Sequence, residues 1–270
     1  MPRDYSSISR LGLTEPFELQ VSRGQISYHS SLFKFGSNTN VQNSLETVWD
    51  GSSTYPFGTT YPTTAFQIAV SSSDANDTEA GTGARKVVVT YLDANWAEQT
   101  VEITLQGQAT VAYVLDTAIR VYRAHVSEVG SGGTAAGDIY VYDPSLAGLT
   151  VTAGVPNKFY AKITQGENQT LMAVYTVPAN HTLYLTRGSI SSGTELGSAF
   201  ITGRLVCRKG NEPFRTQAKV TFNEGFIDFD WELPLAIPEK TDIEARAICS
   251  KAQANAVAAS FEGILIRNAE

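Results

Sequence analysis

Two cysteines, three histidines and a charged fraction of only 17% leave this 270-residue chain poor in the groups from which most active sites are built. Cys207 and Cys249 are too few for a disulfide scaffold and stand in no CxxC or Cys/His metal spacing. They read as small buried apolar residues, with pairing across neighbouring strands left open. His29, His125 and His181 are scattered, without the close pairs a zinc site requires. His181, in Ala179-Asn180-His181-Thr182, reads as a turn residue and His125 as a packed strand residue. The chain lacks a GxSxG elbow, and the glycine-rich run Gly130 to Gly137 lacks the Lys and Ser/Thr of a phosphate loop, so it reads as a flexible loop. No catalytic, cofactor-binding or metal-binding residue is expected, and no cofactor. The protein reads as a non-enzyme.

Long apolar runs are missing as well. Nothing in the sequence is long and apolar enough to span a bilayer, and MPRDYSSISRLGLTEPFELQ carries no apolar stretch of signal-peptide length. Synthesis in a cytoplasm is the expectation. Lys and Arg number 20 against 27 Asp and Glu, a formal charge of −7, and no basic cluster occurs. Neutralising phosphates requires such clusters, so neither nucleic acid nor an anionic membrane is expected as a partner. Almost no segment holds a 3.6-residue apolar period, which excludes a helical fold.

What the chain does have is strand pattern. Arg85 to Leu92 is rich in β-branched and aromatic residues, Asp93-Ala94-Asn95-Trp96 supplies turn chemistry, and a second arm alternates Val101, Ile103, Leu105, Gly107, Ala109 and Val111 with polar residues. This is a β-hairpin with one face on a core and one in water. Its polar face, Glu102, Thr104, Gln106 and Gln108, is a candidate subunit interface. Phe17, Leu19 and Val21 share one face of an expected first strand. The stretch Tyr113 to Val126 has no clean apolar side, as expected of a strand covered on both faces. Further strands are expected up to Ile266, separated by turn residues. The fold class is therefore all-β: two β-sandwich domains, the C-terminal one jelly-roll-like, preceded by a flexible N-terminal arm. The expected divisions are 1–15 for the arm, 16–112 for the N-terminal β domain and 113–270 for the C-terminal sandwich.

Asp228 and Asp230 share one face of an expected strand whose other face is Ile227, Phe229 and Trp231. Glycosidases need two carboxylates facing each other across a sugar. Two on one strand face read instead as solvated. Trp49, Tyr55, Tyr61 and Trp96 fall in loop-like sequence, where aromatic rings serve a sugar, a subunit interface or a core.

The segments LFKFGSNTNVQNSLETVWD (Leu32 to Asp50), SSSDANDTEAGTGARKVVVTYLDANWAEQTVEITLQGQATV (Ser71 to Val111), Arg120-Val121-Tyr122-Arg123 and NQTLMAVYTVPANHTLYL (Asn168 to Leu185) together resemble a family of virion structural proteins of tailed phages of aquatic bacteria, with relatives in large algal viruses. The resemblance implies a place in the virion, with the major capsid protein or other virion proteins as partners. It implies a capsid decoration, cement or head-vertex protein, as a homo-oligomer with a trimer favoured. The alternative is a tail, collar or fibre-associated protein touching a host glycan. Phe17, Leu19, Trp49 and Trp96 join the hairpin's polar face as candidate interface residues.

Overall fold

The computed structural model describes residues 15–56, 64–193 and 199–268, with 112–117 described by backbone alone. Helix α1 (Phe17–Ser22) precedes β1 (His29–Val41) and the short β2 (Glu46–Thr47). Next come β3 (Phe66–Ser72), β4 (Ala84–Asp93), β5 (Glu98–Thr104), β6 (Val111–Val129) and β7 (Ile139–Tyr142). Short strands follow, β8 (Val151–Thr152), β9 (Val155–Pro156), β10 (Ala161–Ile163) and β11 (Val174–Thr176). The remainder is β12 (His181–Ser192), β13 (Ile201–Lys209), β14 (Arg215–Phe222), β15 (Gly225–Ile237), β16 (Thr241–Cys249) and β17 (Asn255–Arg267). The chain is all-β, and every strand pair among the described residues is antiparallel.

Two of the sheets make a jelly roll. One has the order β1-β17-β12-β15, and the other runs from β11 and β2 through β16 and β13 to β14. The first strand of this set thus lies beside the last, the second beside the seventh, the third beside the sixth and the fourth beside the fifth. That is one long hairpin rolled into two facing sheets. Alternation drives it: Val257, Ala259 and Phe261 of β17 are buried while Ala256, Ala258 and Ser260 look outward. Leu183, Leu185, Ile190, Ile201, Leu205, Ile243, Ala245 and Phe261 form the shared core. Cys207 and Cys249 lie in it as free thiols. The β13–β16 register pairs Ile201 with Cys249 and Cys207 with Ile243, so the two sulfurs sit at opposite ends of the ladder. Burial pushes the Cys207 thiol up to about 12.

The second strand of the roll is a composite. Glu46 and Thr47 pair with Ala247 and Arg246, and Val174, Tyr175 and Thr176 pair with Glu244, Ile243 and Asp242. Ala245, between these two sets, accepts from Val48 N–H at 2.9 Å and donates to the Ala173 carbonyl at 3.0 Å. The chain therefore leaves β16 after Val48 and rejoins it at Ala173 in the same register, and the described residues between these points form a guest domain. The neck is closed by the Trp49–Met172 bridge and by the Ala173 N–H bond to Val48 O at 3.0 Å. Gly36 of β1 lies against it, where a Cβ would come within 2.3 Å of both Ala173 N and Val48 O.

The guest is the six-stranded sheet β10-β7-β3-β6-β4-β5. It curls about its own core, which includes Trp49, Tyr55, Ile68, Val87, Val89, Val121 and Ile139. The β4–β5 hairpin is the one expected from the sequence, with Lys86 opposite Thr104 and Leu92 opposite Glu98. Its second arm stops as a ladder at Thr104. Burial still alternates through Leu105 and Gly107, but Gly107 has a φ of +62° and turns the chain back before β6. Among its described side chains, Ala118 to Tyr122 of β6 are covered on both faces, Val121 facing the guest core and Ile119 and Tyr122 the roll, whereas Arg123, Ser127 and Glu128 are exposed.

At the base of the hairpin the fully buried Asp77 carboxylate gathers two loops. Its Oδ1 accepts from Ala84 N–H (2.6 Å) and Ala136 N–H (2.8 Å), and its Oδ2 from Gly137 N–H (3.0 Å) and the Ser72 hydroxyl (2.5 Å). A Cβ on Gly83 would stand 2.1 Å from Asp77 Oδ1. The glycine-rich run at 130–137, expected to be flexible, is thus pinned, with Gly130 N–H also bonded to Gly83 O at 2.7 Å.

Two further expectations are corrected. Phe17 to Val21 is helix rather than strand: Gln20 N–H bonds Pro16 O, and Gly24 at φ +64° ends the turn. Six residues are too few for a period of 2 to be told from one of 3.6. The strand pairing also crosses the expected boundary at 112/113. β1 pairs with β17, and β6, which spans that point, pairs with β3 and β4. The pairing reveals the nesting. The expected arm, residues 1–15, lies outside the described residues except for Glu15, as does Tyr61.

Candidate functional site: the junction and the exposed faces

Host and guest are locked by buried charge. On β16, Ile243, Ala245 and Ala247 face the roll's core while Asp242, Glu244 and Arg246 face the other way, towards the guest. Arg120 of β6 reaches Asp242 from the guest side, Nε to Oδ1 at 2.9 Å. Arg208 of β13 reaches Oδ2 at 2.8 Å, and the Thr176 hydroxyl donates to Oδ1 at 2.8 Å. All three charged side chains are buried. Glu244 is joined by Thr47 Oγ1 at 2.8 Å and Arg246 Nε at 2.9 Å, and the Phe214 ring lies under Arg208 (4.5 Å) and Arg246 (4.2 Å). Lys34 Nζ donates to Tyr122 O at 2.6 Å, and burial, with Arg123 nearby, lowers its pKa to about 7.

The hairpin tip is part of this lock. Trp96 sits at φ +63°, a costly conformation for a bulky residue, with its indole 5.0 Å from the Arg120 guanidinium. Its carbonyl accepts from Ala179 N–H of the roll at 2.9 Å. Trp49 is a core residue, 2% exposed, its ring edge-on to Tyr55 at 5.0 Å and its Nε1–H bonded to Ser53 O at 2.8 Å. It therefore offers no surface. Tyr55 is likewise buried, its hydroxyl bonded to Val121 O.

The neck carries a carboxyl of altered acidity. Leu171 N–H donates to Asp50 Oδ2 at 2.7 Å, and Asp50 N–H to Leu171 O at 3.1 Å. Burial raises the Asp50 pKa to about 7, only partly offset by the Leu171 N–H bond and Lys162. A carboxyl whose folded pKa lies above its unfolded 3.8 contributes stability that is present below 3.8 and lost as pH rises towards 7. Asp50→Asn keeps an acceptor for Leu171 N–H and cannot ionise. Its thermal midpoint is expected to match the parent at pH 4 and to exceed it at pH 8, in paired melts across that range.

The remaining expected interface residues are spread out. Phe17 and Leu19 are exposed on α1, with Phe17 edge-on to His29 at 5.9 Å. Glu102 and Thr104 lie on the edge strand β5, where Glu102 accepts from Ser127 Oγ at 3.0 Å. Gln106 and Gln108 lie beyond it, Gln108 Nε2 bonded to Ser73 O at 2.9 Å.

Sequence reasoning missed the outer face of the sheet β1-β17-β12-β15. Its rows read Phe33-Glu262-Arg187-Asp230, Phe35-Ser260-Ser189-Asp228 and Ser37-Ala258-Ser191-Phe226. Arg187 Nε donates to Asp228 Oδ1 at 2.9 Å, with a second bond to Oδ2, and lies 3.5 Å from Asp230. The Arg187 bonds hold the Asp228 carboxyl below its ordinary range. The two aspartates thus share one arginine on an open face, which does not make an acid/base pair. At the sheet edge, β15 pairs Asp230 with Arg187 but Leu235 with Leu185, so four residues, Trp231 to Pro234, stand opposite Thr186 alone as a bulge, with Trp231 still packed against the core. Leu233 at the tip of the bulge is 85% exposed. The bulge, Pro234 and the acidic residues 228, 230 and 232 blunt this edge against strand addition.

No protein-family model matches the chain, and no curated protein is similar to it in sequence. Among solved structures it is similar to the cowpea mosaic virus top component, the naturally occurring empty particles, at 9% identity and a TM-score of 0.20 over 76% of this chain and 82% of that one. It is also similar to the infectious bursal disease virus VP2 subviral particle, at 11% identity and a TM-score of 0.22 over 94% of this chain and 78% of that one. A third is the tandem CBM22 domain of Paenibacillus barcinonensis Xyn10C, at 11% identity and a TM-score of 0.23 over 89% of this chain and 93% of that one. Superpositions this loose carry no argument. The strand order of the chain itself identifies the jelly roll.

Proposed function

We propose that this chain is a virion structural protein of the capsid decoration, cement or head-vertex kind, which binds the assembled capsid as a homo-oligomer, a trimer in the favoured reading. Support comes from the sequence segments that resemble phage virion proteins and from a fold in which a jelly roll and its guest share a buried charged junction. The single observation that carries the reading is Leu233, a large apolar side chain left almost fully exposed on an edge blunted against strand pairing. Such a knob suits a side-chain contact with a neighbouring virion protein rather than a shared sheet. Leu233→Asp is expected to leave the thermal midpoint nearly unchanged, since exposed positions shift stability by about 0.5 kcal/mol or less. Attachment to particles, followed by co-sedimentation, is expected to fall about tenfold or more. Parent particles are expected to carry on the order of hundreds of copies, as repetition over a lattice would give. Undiminished attachment of the variant would contradict the reading, and a copy number of about a dozen would contradict its decoration and cement forms and leave a vertex, tail or collar position.

A further inference from the structure

We infer that the outer face of the β1-β17-β12-β15 sheet is a binding trough for a neutral, pyranose-type oligosaccharide. The inference is independent of capsid attachment, because it concerns the isolated chain.

A trough of about 140 Å³ lies on this face, with Phe33 on one wall and Phe226 on the other. Both rings are held out to water, at 57% and 62% exposure. Neither is needed by the core: the inward positions of β1 and β15 are Lys34, Gly36, Ile227 and Trp231. Phe33 is steadied by Phe35, whose ring lies 5.6 Å away at 33°. The floor between the walls is low because its central residues are Ser189 and Ser260, whose hydroxyls share a 2.6 Å hydrogen bond. A hydroxyl engaged in one such bond retains further donor or acceptor capacity.

Around that floor stand Arg187, Asp228 and Glu262. Arg187 is fixed by two bonds to Asp228, so its remaining N–H groups and the carboxylate lone pairs are oriented before a ligand arrives. A pyranose presents an apolar C–H face, which stacks on a phenyl ring, and an equatorial rim of hydroxyls that both donate and accept. The trough offers a ring at each end and paired donors and acceptors between them. An apolar peptide would find no continuous greasy strip here, because the two rings are separated by serines and charges. Charge narrows the sugar class. Asp228, Asp230 and Glu262 against the lone Arg187 leave the face acidic, which disfavours uronic acids and sulfated sugars.

The test is titration calorimetry of the full chain with cello-, xylo- and chito-oligosaccharides, and with oligogalacturonate as the anionic control. At least one neutral series is expected to bind and the anionic one not to. Phe33→Ala and Phe226→Ala are each expected to weaken binding about tenfold or more, and together to abolish it. Because both rings are more than half exposed, thermal melts of the variants should match the parent, which separates loss of the site from loss of the fold. The inference is overturned if no neutral oligosaccharide binds, if the alanine variants bind as the parent does, or if these variants lose attachment to particles while no sugar binds, which would make the face a protein contact.

Discussion

Asp77→Ala is expected to destabilise the protein by about 3–5 kcal/mol, among the largest effects available to one substitution. The cost does not come from the lost carboxylate alone. Removing it strands the buried N–H groups of Ala84 and Gly137 and the half-buried one of Ala136, and each buried unsatisfied group costs about 1–3 kcal/mol. Asp77→Asn is the informative companion. Its carbonyl can serve Ala84 and Ala136, but its amide would then face the Gly137 N–H, donor against donor, so an intermediate loss is expected. Denaturant midpoints should rank parent, Asn, Ala. Hydrogen exchange should show lost protection first in the amides of 76–84 and 130–137. Uniform loss of protection across both domains would mean that Asp77 does not act locally as described.

The second large effect is at the junction. Asp242→Ala leaves Arg120 and Arg208 buried without their shared counter-ion, and breaking such a group typically costs about 3–5 kcal/mol. The damage is expected at the join between domains, so limited proteolysis should cut near the neck before either core is attacked. A triple variant, Asp242→Leu with Arg120→Met and Arg208→Met, separates two explanations. If the charges matter only because they are mutually compensated, the apolar set should recover most of the loss. If the triple variant is as unstable as Asp242→Ala, hydrogen-bond geometry at Thr176 and packing under Trp96 dominate instead.

Strand identity was largely legible in the sequence, and the reason is local. The β4–β5 hairpin carries alternation, β-branched residues and an Asp93 turn in one continuous stretch, and nothing distant was needed to find it. The nesting of one domain in another was not legible. Glu46-Thr47 is too short to register as a strand and Leu171 to Val177 reads as a separate one, and only their shared partner β16 shows Glu46-Thr47 and Val174 to Thr176 to be a single strand. The junction was hidden for a different reason. Asp242, Glu244 and Arg246 alternate with Ile243, Ala245 and Ala247 as a solvent-facing strand would, and a polar face covered by a second domain has the same pattern as one covered by water. Trp49 misled in the same way: its surroundings have loop composition, yet the neck folds them inward. The trough was invisible because its walls come from Phe33 and Phe226, nearly two hundred positions apart, and each alone is an ordinary exposed aromatic residue.

The composite strand and the place of β17 together impose an order in time. The guest's own ladders join residues 66–163 and can close as soon as that length of chain is available. The roll cannot do the same. Its strand β17 lies between β1 and β12, with His29 opposite Ile266 and Leu183 opposite Leu265, so that sheet stays open at its centre until residues 255–267 have been synthesised. Contacts this far apart in sequence form slowly. During that interval β1 and β12 both present unpaired edges, and β1 is the one tied to the guest, through Lys34 Nζ on Tyr122 O and Gly36 against the neck.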